Sequence, residues 1–205
     1  VEPCLDVTRQ KLLLRHSTIH NCQGYGLAVD SAKVQLYNCQ LSNTLNHTLY
    51  AKGGDVEVNG CTIAQFYPFD GRRATAIGIV PPILNFKVIN SIVTGYHDDE
   101  VVWTSPKNDE ECNFCFDHCV LRTEKMNTED SLKFTNTIYE NLKDTTRFGE
   151  KHFRLVDTDN LKYDFRLRKE SAAIGVADTA TSLPTDRRGV LRDDKPDAGC
   201  YEFDE

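Results

Sequence analysis

The chain has 205 residues, 40% hydrophobic and 27% charged, with a formal net charge of −7. This is the balance of a folded domain with a sizeable core rather than of a disordered chain. The negative charge argues against nucleic acid or an anionic membrane surface as the main partner, and no apolar run approaches the roughly 18 residues that span a bilayer, so membrane insertion is not expected.

Residues 1–11 begin Val1-Glu2-Pro3-Cys4, with no initiator Met and no basic-then-apolar leader. They read as the lead-in of a fragment or a mature product. A repeat starts at residue 12. The segments Leu12 to Ile19, Val34 to Leu41, Val56 to Ile63, Phe86 to Val93 and Phe114 to Leu121 align on a small residue: Ser17, Cys39, Cys61, Ser91 and Cys119. Successive anchors lie 22, 22, 30 and 28 residues apart.

Within each segment apolar residues stand five and three places before the anchor and two after it, with mostly polar residues such as Gln35, Glu57 and Lys87 between. That period-2 alternation predicts strands with one buried face. Directly before the anchors stand His16, Asn38, Gly60, Asn90 and His118, residue types that tolerate positive φ, which predicts a one-residue bend in every repeat. A third strand follows at Leu27/Val29, Leu49/Ala51, Ile77/Ile79 and Val101/Trp103. One repeat is thus strand, bend, strand, loop, strand, turn, and stacked repeats bury a core that none could bury alone. Helical periodicity and the Asn frame of leucine-rich repeats are both missing.

The expected layout is a lead-in over 1–11, parallel β-helix coils over 12–122, and a last coil remnant with a capping region over 123–205. A short helix is expected around Glu129–Leu142, and Arg188, Arg192, Asp197 and Glu202 are assigned to ion pairs and backbone bonds inside the cap. Residues 1–11 are barely enough to close an open solenoid end, so the module is expected to continue into upstream coils.

These repeats resemble the pectin-lyase-like, right-handed parallel β-helix superfamily. The tail extends the resemblance: Asp164-Phe165-Arg166-Leu167, Ser171-Ala172-Ala173-Ile174-Gly175, Asp186-Arg187-Arg188-Gly189 and Pro196-Asp197-Ala198-Gly199-Cys200-Tyr201-Glu202 look like the C-terminal region of bacterial surface β-helix proteins. Ala172 stands where those endings carry Pro, and Gly175 where they carry Asp. The resemblance implies an all-β fold, a right-handed parallel β-helix solenoid of about five coils with an irregular C-terminal cap. It also implies a secreted, cell-surface or periplasmic location, and a polysaccharide or cell-surface glycan as partner.

Cys112, Cys115, His118 and Cys119 have the short spacings of a zinc knuckle, but the repeat places Cys119 inward and Cys115 outward, and opposite faces of a strand cannot share one ion. No metal is assigned there, and Cys4, Cys22, Cys112 and Cys200 are left without a role. The loops after the anchors are more informative. The third repeat carries Phe66-Tyr67-Pro68-Phe69-Asp70-Gly71-Arg72-Arg73, and the fourth Tyr96-His97-Asp98-Asp99-Glu100. Stacking would set them side by side, with Tyr25 and His47 nearby.

Tyr67, Phe69, Arg72, Arg73, Tyr96 and His97 are the candidate ligand-binding residues, because rings lie against sugar faces and Arg forks onto carboxylates. Asp98, Asp99 and Glu100 either hold Ca²⁺ through oxygens or form a solvated acidic turn; no other cofactor is expected. The leading expectation is a polysaccharide-binding module without complete catalytic machinery. One alternative is a polysaccharide lyase acting on uronate glycans by β-elimination, with His97, Asp98 and Asp99 as catalytic candidates. Another is a structural or adhesin fragment of a larger surface protein. The G-H-G and R-I-K elements of β-helix polygalacturonases do not occur.

Overall fold

The computed structural model describes residues 2–107, 110–124 and 133–204. It is all-β, with three parallel sheets and one antiparallel hairpin. The first sheet holds Leu5–Thr8, Leu27–Asp30, Leu49–Lys52, Ile77–Val80 and Val101–Trp103. The second holds Lys11–Arg15, Lys33–Tyr37, Asp55–Asn59, Ile83–Ile89, Cys112–Asp117 and Phe134–Thr135. The third holds Thr18–Cys22, Gln40–Thr44, Thr62–Gln65, Ile92–Gly95, Val120–Leu121 and Ile138–Tyr139. Within the stack consecutive strands therefore fall in different sheets, and up to Val120–Leu121 each pairs with the strand three places along the chain; Phe134–Thr135 and Ile138–Tyr139 pair with strands two places back. None of the sheets closes into a barrel.

The register follows the apolar pattern. Leu12 pairs with Val34, Val34 with Val56, Val56 with Phe86 and Phe86 with Phe114. These columns face the interior beside Leu27, Leu49, Ile77 and Val101 of the first sheet and Leu41, Ile63, Val93 and Leu121 of the third. The middle coils are sealed, whereas Leu12, Leu14 and Ile19 of the first coil are only partly buried. Burial of each aliphatic side chain contributes roughly 1.5–3 kcal/mol. Trimming one methyl from a sealed column by Ile63→Val should cost about 1 kcal/mol, measurable by urea unfolding.

The expected bends are present: His16, Asn38, Gly60, Asn90 and His118 all have φ between 50° and 61°, and Asn136 extends the row at 48°. Two further left-handed rows were not anticipated, Arg9, Ser31 and Gly53 at the preceding corner and Asn21 and Asn43 in the third sheet. Cys39, Cys61 and Cys119 stack inside as free thiols, and burial pushes Cys119 up to about 12. Cys4 and Cys22, left without a role above, form a disulfide across the first coil with their Cα atoms 6.1 Å apart.

Beyond the coils the chain departs from expectation. In place of the helix over Glu129–Leu142, the described part of that range carries the short strands Phe134–Thr135 and Ile138–Tyr139, which add a further rung; residues 125–132 lie outside the described residues. A 3₁₀ turn, Gly149–His152, leads into the hairpin of Phe153–Asp157 and Lys162–Leu167.

The hairpin and the tail lie along the side of the stack, against the outer face of the third sheet. There Ala64, Phe66, Ile92 and Val120 meet Phe153, Phe165, Leu167, Ala173 and Ala198 in a second core. The tail is pinned to the bends. Asn38 and Asn59 donate to the carbonyls of Thr185 and Thr181, and the Asp178 N–H donates to Asn90 Oδ1. Inside the tail Arg192 pairs with Glu202 at 2.9 Å and Arg188 with Asp186 and Asp204, while Asp197 accepts the N–H groups of Gly175 and Phe203. These are the internal roles expected of the four tail residues.

Candidate functional site

The site lies at the corner where the chain leaves the third sheet and turns towards the first. Backbone polar groups freed at that corner need internal partners, and two buried side chains supply them. Gln65 donates to the carbonyls of Thr44, Asn46 and Ala74 at 2.8–3.1 Å and accepts the Thr44 N–H at 3.0 Å. One coil on, Glu100 accepts the N–H groups of Ala76 at 2.6 Å and His97 at 2.8 Å. Glu100 is fully buried, and this burial outweighs both bonds and the neighbouring Arg122 and Arg73, lifting its carboxyl to about 8.

The 66–73 and 96–100 loops do lie against each other. His97 Nε2 donates to the Arg73 carbonyl at 2.9 Å, and the Arg73 guanidinium sits 4.8 Å from the centre of the Tyr96 ring. The Tyr96 ring packs edge-on to Phe66. The candidates are not equally presented, however. Tyr67 is buried under the loop, Phe69 is 62% exposed, and Arg72 points into solvent in a fork with Asp70. Arg72 holds the Asp70 carboxyl down at about 2.

The acidic run does not converge. Asp98 is exposed, Asp99 accepts from Thr123 Oγ1 at 2.6 Å, and Glu100 turns inward to its two N–H groups. Among the described residues no group of three or more His, Cys, Asp or Glu side chains is arranged to hold a metal ion.

Beside Tyr96 lies a pocket of about 310 Å³ lined by Tyr96, Phe148, Gly95, Arg122 and Gly149, with the buried Phe66 ring beneath it. The Tyr96 hydroxyl donates to Glu150 Oε1 at 2.7 Å, fastening the corner to the 3₁₀ turn; burial and this carboxylate raise the phenol to about 12. Arg122 donates to the Gly95 carbonyl at 2.9 Å and pairs with buried Glu140 at 3.4 Å. Glu140 in turn holds His152, which bonds Ser171.

Sequence reasoning missed this half of the site, because residues 141–151 lie outside the repeat and meet Tyr96 only through the fold. Further along the corner the rings of Tyr25, His47 and Tyr50 pack together with centroids 4.8–6.2 Å apart, and His47 lies so close over Gly78 that a Cβ there would come within 2.7 Å of the ring.

Fold and site together define an all-β chain of three stacked parallel sheets with an aromatic corner and a shallow pocket beside it. No family model, no curated protein and no solved structure matches the chain.

Proposed function

We propose that the three-sheet stack is a right-handed parallel β-helix module of a secreted or surface protein that binds a glycan at the Tyr96 corner without completing a catalytic machinery. The observation that carries this reading is the joining of the two loops through Arg73, Tyr96 and His97 beside a pocket walled by the Tyr96 and Phe148 rings, with buried Phe66 packed beneath. Concave, aromatic-lined sites with a few fixed polar groups are where small ligands bind, and ring faces match the C–H faces of sugars. The splayed Asp98, Asp99 and Glu100 offer no shared Ca²⁺ site, which weighs against the lyase alternative.

The test is calorimetric titration with a panel of neutral and acidic oligosaccharides. Phe148→Ala should weaken the best binder ~5-fold or more, the equivalent of one lost aromatic contact, with an unchanged melting temperature. Equal affinity in Phe148→Ala and Tyr96→Ala would move the site elsewhere, and a panel with no binder would end the reading.

A further inference from the structure

We propose that the pocket beside Tyr96 takes a neutral sugar rather than a uronate, an inference that rests on the glycan-binding reading above. A uronate needs a cation with spare charge, as in the bidentate fork of Arg on carboxylate. Of the arginines at this corner, Arg72 is forked onto Asp70 at 2.7 Å and Arg122, which lines the pocket, is held by Glu140. Arg73 is stacked on Tyr96 and donates to the Tyr67 carbonyl, outside the pocket lining. Lys151 is the one pocket-lining cation without an acidic partner among the described residues.

Against it stand two lining carboxylates. Asp144 is kept ionised by two bonds from Thr146, at 2.9 Å from the N–H and 2.6 Å from the hydroxyl. Glu150 accepts the Tyr96 hydroxyl through Oε1. Two cations thus face two anions across the pocket, with Glu140 behind Arg122 as a third anion, in a chain whose net charge is −7. An incoming carboxylate would meet like charge at close range.

The same carboxylates suit a neutral ring well. A carboxylate offers only acceptors, and sugar hydroxyls are donors that make charge-assisted bonds to it. Tyr96 and Phe148 supply the apolar walls for the ring's C–H face, and the volume of about 310 Å³ is at the small end of ligand sites, suited to a single ring.

The experiment is calorimetric titration of the intact protein with neutral gluco-, manno- and galacto-oligosaccharides and with oligogalacturonates and alginate oligomers of the same length, at low and high salt. The expected result is binding of a neutral series with less than about a twofold change with salt, and uronate oligomers at least about tenfold weaker. Asp144→Asn should narrow that gap by improving the uronates, which a merely structural role for Asp144 would not do. Tighter binding of a uronate series, weakening with salt, overturns the neutral-sugar inference and leaves the glycan-binding reading standing. No binding of either series removes both.

Discussion

Gly95→Ala should destabilise the protein by about 3 kcal/mol, at the upper end of what overpacking costs. A Cβ at this position would lie 2.1 Å from Glu100 Oε1 and 2.8 Å from the Gln65 carbonyl. Neither neighbour can give way cheaply. The carboxylate is fixed by the N–H groups of Ala76 and His97, and the carbonyl accepts from the Tyr96 N–H at 3.2 Å within the parallel ladder. The backbone conformation of Gly95 is not the issue; the close approach of Glu100 is.

Glu100→Ala alone should also be costly, because it leaves two buried N–H groups without acceptors at roughly 1–3 kcal/mol each. The informative variant is the double one. Once the carboxylate is gone the new methyl has room, so Gly95→Ala with Glu100→Ala should fall short of the sum of the single losses by about 1 kcal/mol or more. Strict additivity in urea melts would show that the two positions do not meet.

The second large effect is a loss of stability as pH rises from about 4.5 to about 8. Glu100 has its carboxyl raised to about 8 in the folded chain from a starting value of 4.5. The unfolded chain releases this proton first, so the stability from the neutral acid is complete below pH 4.5 and declines until the folded carboxyl ionises near pH 8. The slope reaches up to about 1.4 kcal/mol per pH unit.

Two other groups act lower in the range. Burial raises Asp197 to about 6, adding a decline of the same sign that ends there. Burial lowers His47 from 6.5, so its stability contribution is lost as pH falls below 6.5, with opposite sign. Between pH 6.5 and 8 Glu100 is opposed by Cys39, whose thiol the hydrogen bond with Cys61 brings down to about 7 from 9.0, so that its contribution to stability grows as pH rises; the Glu100 effect is therefore read as the difference between the native chain and Glu100→Gln. Urea melts across this interval should show the native chain losing stability relative to Glu100→Gln as pH rises; parallel profiles would mean that the buried carboxyl is already ionised at neutral pH.

The strands of the stack were legible because a sheet face repeats every two residues and a coil repeats every 22, so Val34, Val56 and Phe86 announce one another before any contact is known. The bend was legible for a steric reason, since His16, Asn38, Gly60 and Asn90 are types that accept a left-handed backbone. The second core was not. Ala64, Phe66, Ile92 and Val120 occupy outward positions where a polar residue was expected, and apolar residues on both faces of the same strands are the trace of a covering layer.

The same misreading placed Tyr67 in the binding surface, although its ring is buried beneath the loop beside exposed Phe69. Glu100 was grouped with Asp98 and Asp99 by adjacency alone. Alternation and hydrogen bonding set its direction, and a sequence run does not carry that information. The wall formed by Phe148 and Glu150 depends on a segment that returns to the stack from a different region of the chain, so no local pattern could pair it with Tyr96.

The longer corner of the third coil has a consequence for how such a chain can vary. Fifty-six and 86 lie 30 positions apart where 34 and 56 lie 22 apart, yet Val56 and Phe86 still meet as Val34 and Val56 do. Six of the eight added residues are absorbed at the corner before Ile77, and the other two before Phe86, where the ladder has an irregularity between Ile83 and Phe86 and then regains its register. The solvent-facing tip at 69–72 could be exchanged, lengthened or randomised while Phe66 and Tyr67 stay buried beneath it and the rungs above and below keep their partners, which makes this tip a graft point.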